Sequence, residues 1–247
     1  MTRSSGERFA SARQSAARLA QQVRHWFMVS LLALAGGTVV VMAGQSVPQW
    51  LSATEERAHA ATSTPLPHTR RIGIISGHRG HDSGAVCADG LTEAQVNFDH
   101  ALRVAGLLRA HGFEVDVMDE FDPRLEGYRA LALISIHADS CIYINDRATG
   151  FKIAGKPQPA LNEENKRLVA CLTEHYARAT GLGFHSNSIT HDMRQYHAFR
   201  RADPATPAAI IETGFLYLDR VLLTRQADRV AQGIAEGVLC FARAGTP

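Results

Sequence analysis

The sequence predicts an α/β protein: a single domain on a mostly parallel, twisted sheet with helices on both faces, preceded by one N-terminal transmembrane helix. Three observations carry this expectation. From Arg71 onward, short β-branched runs alternate with stretches of helical period. Two of the runs, LALISI (131–136) and AAIIE (208–212), are almost wholly apolar, as strands buried on both faces of a sheet are. Residues 27–44 carry no charge and are about long enough to cross a bilayer.

The elements follow in order. IGIIS (72–76) ends at Gly77 and reads as a buried strand. A helix is expected from about Thr92 to His111. Val96, Ala101, Val104, Ala105 and Leu108 form its apolar face, Thr92 its cap and Gly112 its stop. FEVDVM (113–118) alternates as a strand does, and DPRLEGY (122–128) reads as a turn. LALISI and GFKIA (150–154) are the next strands. Residues 161–179 form an amphipathic helix with Leu161, Leu168, Leu172 and Tyr176 on one face. Residues 182–203 are polar and rich in histidine, without a clear period, and are expected to be a long loop or lid. AAIIE is the last strand, and one helix over 219–242 closes the domain with Val230, Ile234, Val238 and Phe241.

Charge divides the chain. Residues 1–70 hold seven arginines and three glutamates, which leaves 19 basic and 21 acidic residues in 71–247. A near-neutral domain argues against a large nucleic-acid surface, so no nucleic-acid partner is expected. Arg3, Arg8, Arg13, Arg18 and Arg24 precede the apolar segment, and the next charges beyond it are Glu55 and Glu56. This asymmetry places 1–26 in the cytoplasm as a basic tail. Residues 27–44 then form a single-pass anchor, or a cleaved signal sequence. Residues 45–70 are a Pro-, Ser- and Thr-rich linker, and 71–247 are a domain outside the cytoplasmic membrane. The four cysteines match no CxxC ribbon. Cys171 and Cys240 fall on apolar helix faces as core residues, and Cys87 and Cys141 are a candidate disulfide in an oxidising space.

Four polar residues stand at or just past the ends of the expected strands. His78 follows IGIISG, His137 follows LALISI, Glu212 follows AAII, and Glu93 opens the first helix. In parallel sheets ligands gather at this edge. Two imidazoles and a carboxylate form a catalytic zinc set with one position open, and a second carboxylate can take a proton from water there. Taken singly, each has a simpler account: Glu93 is an ordinary first-turn acid that favours the helix dipole.

The stretch SGHRGHDSGAVCADGLTEAQVN (76–97) resembles the opening motif of the zinc-dependent N-acetylmuramoyl-L-alanine amidases. Gly77, His78, Gly80, Asp82 and Gly84 match its first loop, and Gly90, Glu93 and Asn97 its helix start. SIHADS (135–140), Gly150-Phe151 and IIETGFL (210–216) resemble later motifs in the same order. The resemblance implies one zinc ion per chain on His78, Glu93 and His137, with Glu212 as the catalytic carboxylate. It implies peptidoglycan as substrate and hydrolysis of the amide between the muramic acid lactyl group and L-alanine. His191, His197, Arg79 and Asn97 are candidates for oxyanion or substrate contacts; His81 and His185 are further spare imidazoles.

Departures from the pattern are Arg79 in place of a glycine, Asp139 where asparagine is common, and a short stretch after the second strand that lacks an Arg-rich turn. Two other readings stay open: a zinc peptidase or amidase acting on a different wall amide, and a wall-binding module without catalysis. The sequence does not fix the oligomeric state.

Overall fold

The computed structural model describes residues 70–244. The basic tail, the apolar segment at 27–44 and nearly all of the linker therefore lie outside the described residues. Among those described, no helix is long and apolar enough to cross a membrane.

Five strands form one mixed sheet: β1 (Arg71–Ser76), β2 (Glu114–Met118), β3 (Ala132–Asp139), β4 (Lys152–Gly155) and β5 (Ala208–Phe215). Their order is β2-β1-β3-β5-β4. The first four in that order are parallel, and β4 pairs antiparallel with β5 at the edge. The long helices α1 (Glu93–Ala110), α2 (Asn162–Thr180) and α6 (Ala227–Ala244) cover one face over Ile72, Ile74, Ile134, Ile136 and Ile211. The short helices α3 (His191–Arg194) and α4 (His197–Arg201) help cover the other, where Met193, Tyr196 and Phe199 meet Ile75, Leu133 and Ile210. A further short helix, α5 (Arg220–Arg225), leads into α6.

Local chemistry sets the first helix. Thr92 Oγ1 accepts the Gln95 N–H, and the Gln95 side chain accepts the Thr92 N–H, so a capping box satisfies two donors at its start. Gly112, at φ 80°, ends it in a left-handed conformation open to glycine.

The structure differs from the sequence expectations in four places. β3 and β5 run on to Asp139 and Phe215, so His137 and Glu212 sit within strands and not after them. Residues 182–203 are no open loop: Met193, Tyr196, Ala198, Phe199 and Ala202 are buried against the sheet. The closing helix is broken at Gln226 into α5 and α6. Cys171 and Cys240 are more than core residues, since they form a disulfide between α2 and α6. Cys87 and Cys141 form the other disulfide.

Candidate metal centre

Three loops and strands bring the site together at the carboxyl edge of the parallel strands. His78 lies in the turn after β1 with φ 65°, a left-handed conformation that non-glycine residues seldom adopt. Its ring nitrogens part company: Nε2 lies 3.2 Å from Glu93 Oε1, and Nδ1 lies 2.6 Å from Asp82 Oδ1. Glu93 is the first residue of α1 and only 5% exposed. Its Oε1 also lies 3.4 Å from His137 Nδ1 and accepts the Ala138 N–H, while Oε2 accepts the Ala85 N–H. The side-chain donor atoms of His78, Glu93 and His137 all fall within 4.8 Å of one another, so these three could hold a metal ion.

Two glycines make room for them. A Cβ on Gly77 would stand 2.4–2.6 Å from ring atoms of His137. A Cβ on Gly84 would stand 2.5 Å from Glu93 Oε2 and 2.8 Å from His78 Cδ2, and its φ of 60° also favours glycine. The motif glycines are thus contact surfaces for the imidazoles and the carboxylate.

The electrostatics are set by the pairing of imidazoles with buried carboxylates. Burial works against a charged Glu93, but His137, His78 and the Ala85 N–H outweigh it and hold the carboxyl well below its usual range. The hydrogen-bonded Glu93 carboxylate raises His78 to about 9 against the effect of partial burial, with Asp82 adding to the rise. His137 is also raised: burial opposes its charge, and Glu93, Glu212 and Glu120 favour it.

Glu212 is paired in register with His137 on the neighbouring strand, and with Lys152 on its other side. The three side chains therefore share the face of the sheet that α3 and α4 cover. Burial pushes Glu212 up to about 7, with the carboxylates of Glu93 and Asp139 adding to the rise and His137 and Lys152 opposing it. Its Oε2 is buried and makes no hydrogen bond with the described residues. A buried carboxyl oxygen without a partner is unusual and marks Glu212 as a candidate proton-transfer group beside the His78, Glu93 and His137 set.

The other expected site residues take the following places. Asn97 is fully buried, and its amide donates to Gly77 O and Glu93 Oε1, which braces the carboxylate from within. Arg79 pairs with Asp119 at 3.2 Å, and its guanidinium stacks 3.7 Å from the Phe98 ring centroid. His197 gives its Nε2 to Glu120 at 2.7 Å. His191 is exposed at the start of α3, and His185 bonds Ser188. The Cys87–Cys141 bridge ties the loop before α1 to the loop after β3. Glu120 and Tyr196 are the site residues that the sequence reading missed. Glu120 sits in an acidic DEFD run that looks like turn composition, and Tyr196 in a stretch that looks like loop.

The mixed sheet thus gathers, at the carboxyl edge of its parallel strands, a His-Glu-His set that could hold a metal ion and a buried carboxyl oxygen without a hydrogen-bond partner among the described residues. The chain belongs to the N-acetylmuramoyl-L-alanine amidase family, whose model matches residues 72–240. No curated protein sequence matches it significantly. Several solved structures share the fold. Amidase AmiC2 of Nostoc punctiforme is 22% identical at a TM-score of 0.58, over 72% of this chain and 98% of that one. An amidase of Clostridium difficile 630 is 20% identical at a TM-score of 0.56, over 73% and 100%. The catalytic domain of the amidase CwlV from Bacillus (Paenibacillus) polymyxa var. colistinus is 26% identical at 0.52, over 68% and 95%.

Proposed function

We propose that this protein hydrolyses the amide between the muramic acid lactyl group and L-alanine of the peptidoglycan stem peptide, with one zinc ion on His78, Glu93 and His137. The observation that carries the reading is the meeting of that donor set with the buried, partnerless Oε2 of Glu212, in a chain of this family. Two imidazoles and a carboxylate are a donor set that suits catalytic zinc, and Gly77 and Gly84 leave space for the ligands. Zinc held there supplies Lewis acidity toward a carbonyl oxygen and a water.

The chain's own residues do the remaining work. Glu93 Oε1 stands between His78 Nε2 and His137 Nδ1, at 3.2 and 3.4 Å, so the three donor atoms converge, and Asp82 fixes the tautomer of His78 from outside. Glu212 Oε2 takes a proton from the attacking water and delivers it to the departing L-alanine amine. Its upward-shifted pKa suits both halves of that exchange near neutral pH. We place the catalytic domain at 71–247 outside the cytoplasmic membrane, anchored by 27–44 and spaced by 45–70. Membrane fractionation of the full chain, with and without residues 1–44, tests that placement.

The central test is digestion of purified sacculi with mass analysis, alongside elemental zinc content. Wild type is expected to release free stem peptides, leave bare glycan and carry about one zinc per chain. Glu212→Gln should keep the zinc and lose about 10²–10⁴-fold in rate. His137→Ala should lose both. Cut cross-links with intact lactyl amides would replace this substrate bond with another, and a zinc-free, inactive wild type would defeat the reading.

A further inference from the structure

Glu120 lies just past β2, in the short stretch where the chain departs from the family pattern, and it is only 6% exposed. Both of its oxygens are engaged. Oε2 accepts the backbone N–H of His78 at 2.8 Å and stands 3.5 Å from His137 Nε2. Oε1 accepts the Tyr196 O–H at 2.8 Å and His197 Nε2–H at 2.7 Å. Tyr196 Oη in turn accepts the Ser135 O–H at 2.9 Å, from a residue two before His137 on the same strand. The His197 ring is stacked on Phe121, with centroids 4.3 Å apart, which fixes it beside Glu120.

The two imidazoles are held symmetrically. His78 presents Nε2 to Glu93 and gives Nδ1 to Asp82. His137 presents Nδ1 to Glu93 and turns Nε2 toward Glu120 and Tyr196, 3.5 Å from each. A carboxylate facing the outer nitrogen of a metal-binding histidine selects its tautomer and orients its ring. Glu120 also holds the amide of His78, whose left-handed backbone aims the other ring.

We propose that Glu120 is a positioning residue of the metal centre, setting both imidazoles at once: His137 through its outer nitrogen and His78 through its backbone amide. Tyr196 and His197 hold Glu120 in turn. The inference rests on the zinc reading above, and on geometry that the sequence motifs do not contain.

The test uses the full chain as wild type, Glu120→Gln, Glu120→Ala and Tyr196→Phe. Zinc affinity is measured by competition with a chromophoric chelator, and ligand geometry by the visible spectrum of the cobalt-substituted protein. Glu120→Gln keeps the shape and one of the two acceptor oxygens, replaces the other by an NH2 donor and loses the charge. It is expected to bind zinc about 10–100-fold more weakly and to shift the cobalt bands. Tyr196→Phe should move both readouts the same way by a smaller factor. Wild-type affinity and spectrum in Glu120→Gln would overturn the proposal. Should the Glu120 variants fail to fold, an unchanged zinc affinity in Tyr196→Phe would overturn it alone. If wild type binds zinc and the variants match it, this inference fails and the functional reading stands; if wild type binds none, both fail.

Discussion

Gly77→Ala probes the site through packing alone. The glycine does not occupy a left-handed conformation, so alanine meets no backbone strain there. Its Cβ would instead stand 2.4 Å from Cε1, 2.5 Å from Nε2 and 2.6 Å from Nδ1 of His137. Ordinary carbon contacts begin near 3.5 Å, so the imidazole must retreat by about 1 Å. It has little room to do so, being 6% exposed and backed by the edge of the Tyr196 ring. Crowding of this kind costs about 1–3 kcal/mol of stability. A displacement of about 1 Å at a reacting centre costs about 10²-fold in rate. Gly73→Ala is the control. Its Cβ would meet Leu133 Cδ1 and Tyr128 Cε1 at 2.6 Å, a similar crowding four residues earlier, within β1, but against core side chains. Both variants should melt several degrees below wild type, and only Gly77→Ala should lose zinc affinity and sacculus hydrolysis. The reasoning is refuted if Gly77→Ala binds zinc as wild type does, or if Gly73→Ala loses zinc equally.

Two further outcomes concern the scaffold. His100 is fully buried in α1 with Nε2 2.8 Å from Leu223 O, and burial pushes it down to about 4 despite that carbonyl. Its folded pKa lies below the unfolded 6.5, so its contribution is complete above pH 6.5 and is lost as pH falls through about 4; the difference is worth about 3 kcal/mol. Urea unfolding of wild type should weaken over that window by about 3 kcal/mol more than His100→Gln does, and parallel curves would dismiss the account. The disulfides close loops of 54 and 69 residues. Chain entropy assigns each about 4 kcal/mol, so Cys171→Ser with Cys240→Ser should lower the urea midpoint clearly, and an unchanged midpoint would show that the bridge adds nothing.

The alternation of strand and helix was legible because the central strands are buried on both faces and must be apolar throughout. Their ends were not. β3 continues through His137 and Asp139, where polarity breaks the apolar run although both side chains are paired, with Glu93 and with Lys152. The Cys171–Cys240 bond was hidden for a different reason. A Cβ at Gly233 or Gly237 would meet the Cα of Tyr176 or Leu172 at 2.9 or 2.7 Å, so these glycines let α6 approach α2 closely. That approach brings the two cysteines to a Cα separation of 5.8 Å. No periodicity in one helix reveals the neighbour it will lie against.

The candidate site divides along the same line. His78, Glu93, His137 and Glu212 stand out in the sequence because each lies at the polar edge of an apolar run or at a helix start and falls within the ordered family-like motifs. Glu120 does not, because its role depends on where two other residues point. The left-handed turn at His78 directs an amide N–H toward β2, and burial of 182–203 carries Tyr196 and His197 to the same carboxylate. An acidic residue in a turn is ordinarily solvated; here burial disfavours the charge, and His197, His137, the His78 amide and Tyr196 more than offset it, holding Glu120 at about 2. Such an ion is costly to enclose unless every lone pair is used. The bonds that satisfy Glu120 are also the ones that fix the direction of both imidazoles, so the energetic requirement of burying this carboxylate and the geometric requirement of the metal centre are met by one set of contacts.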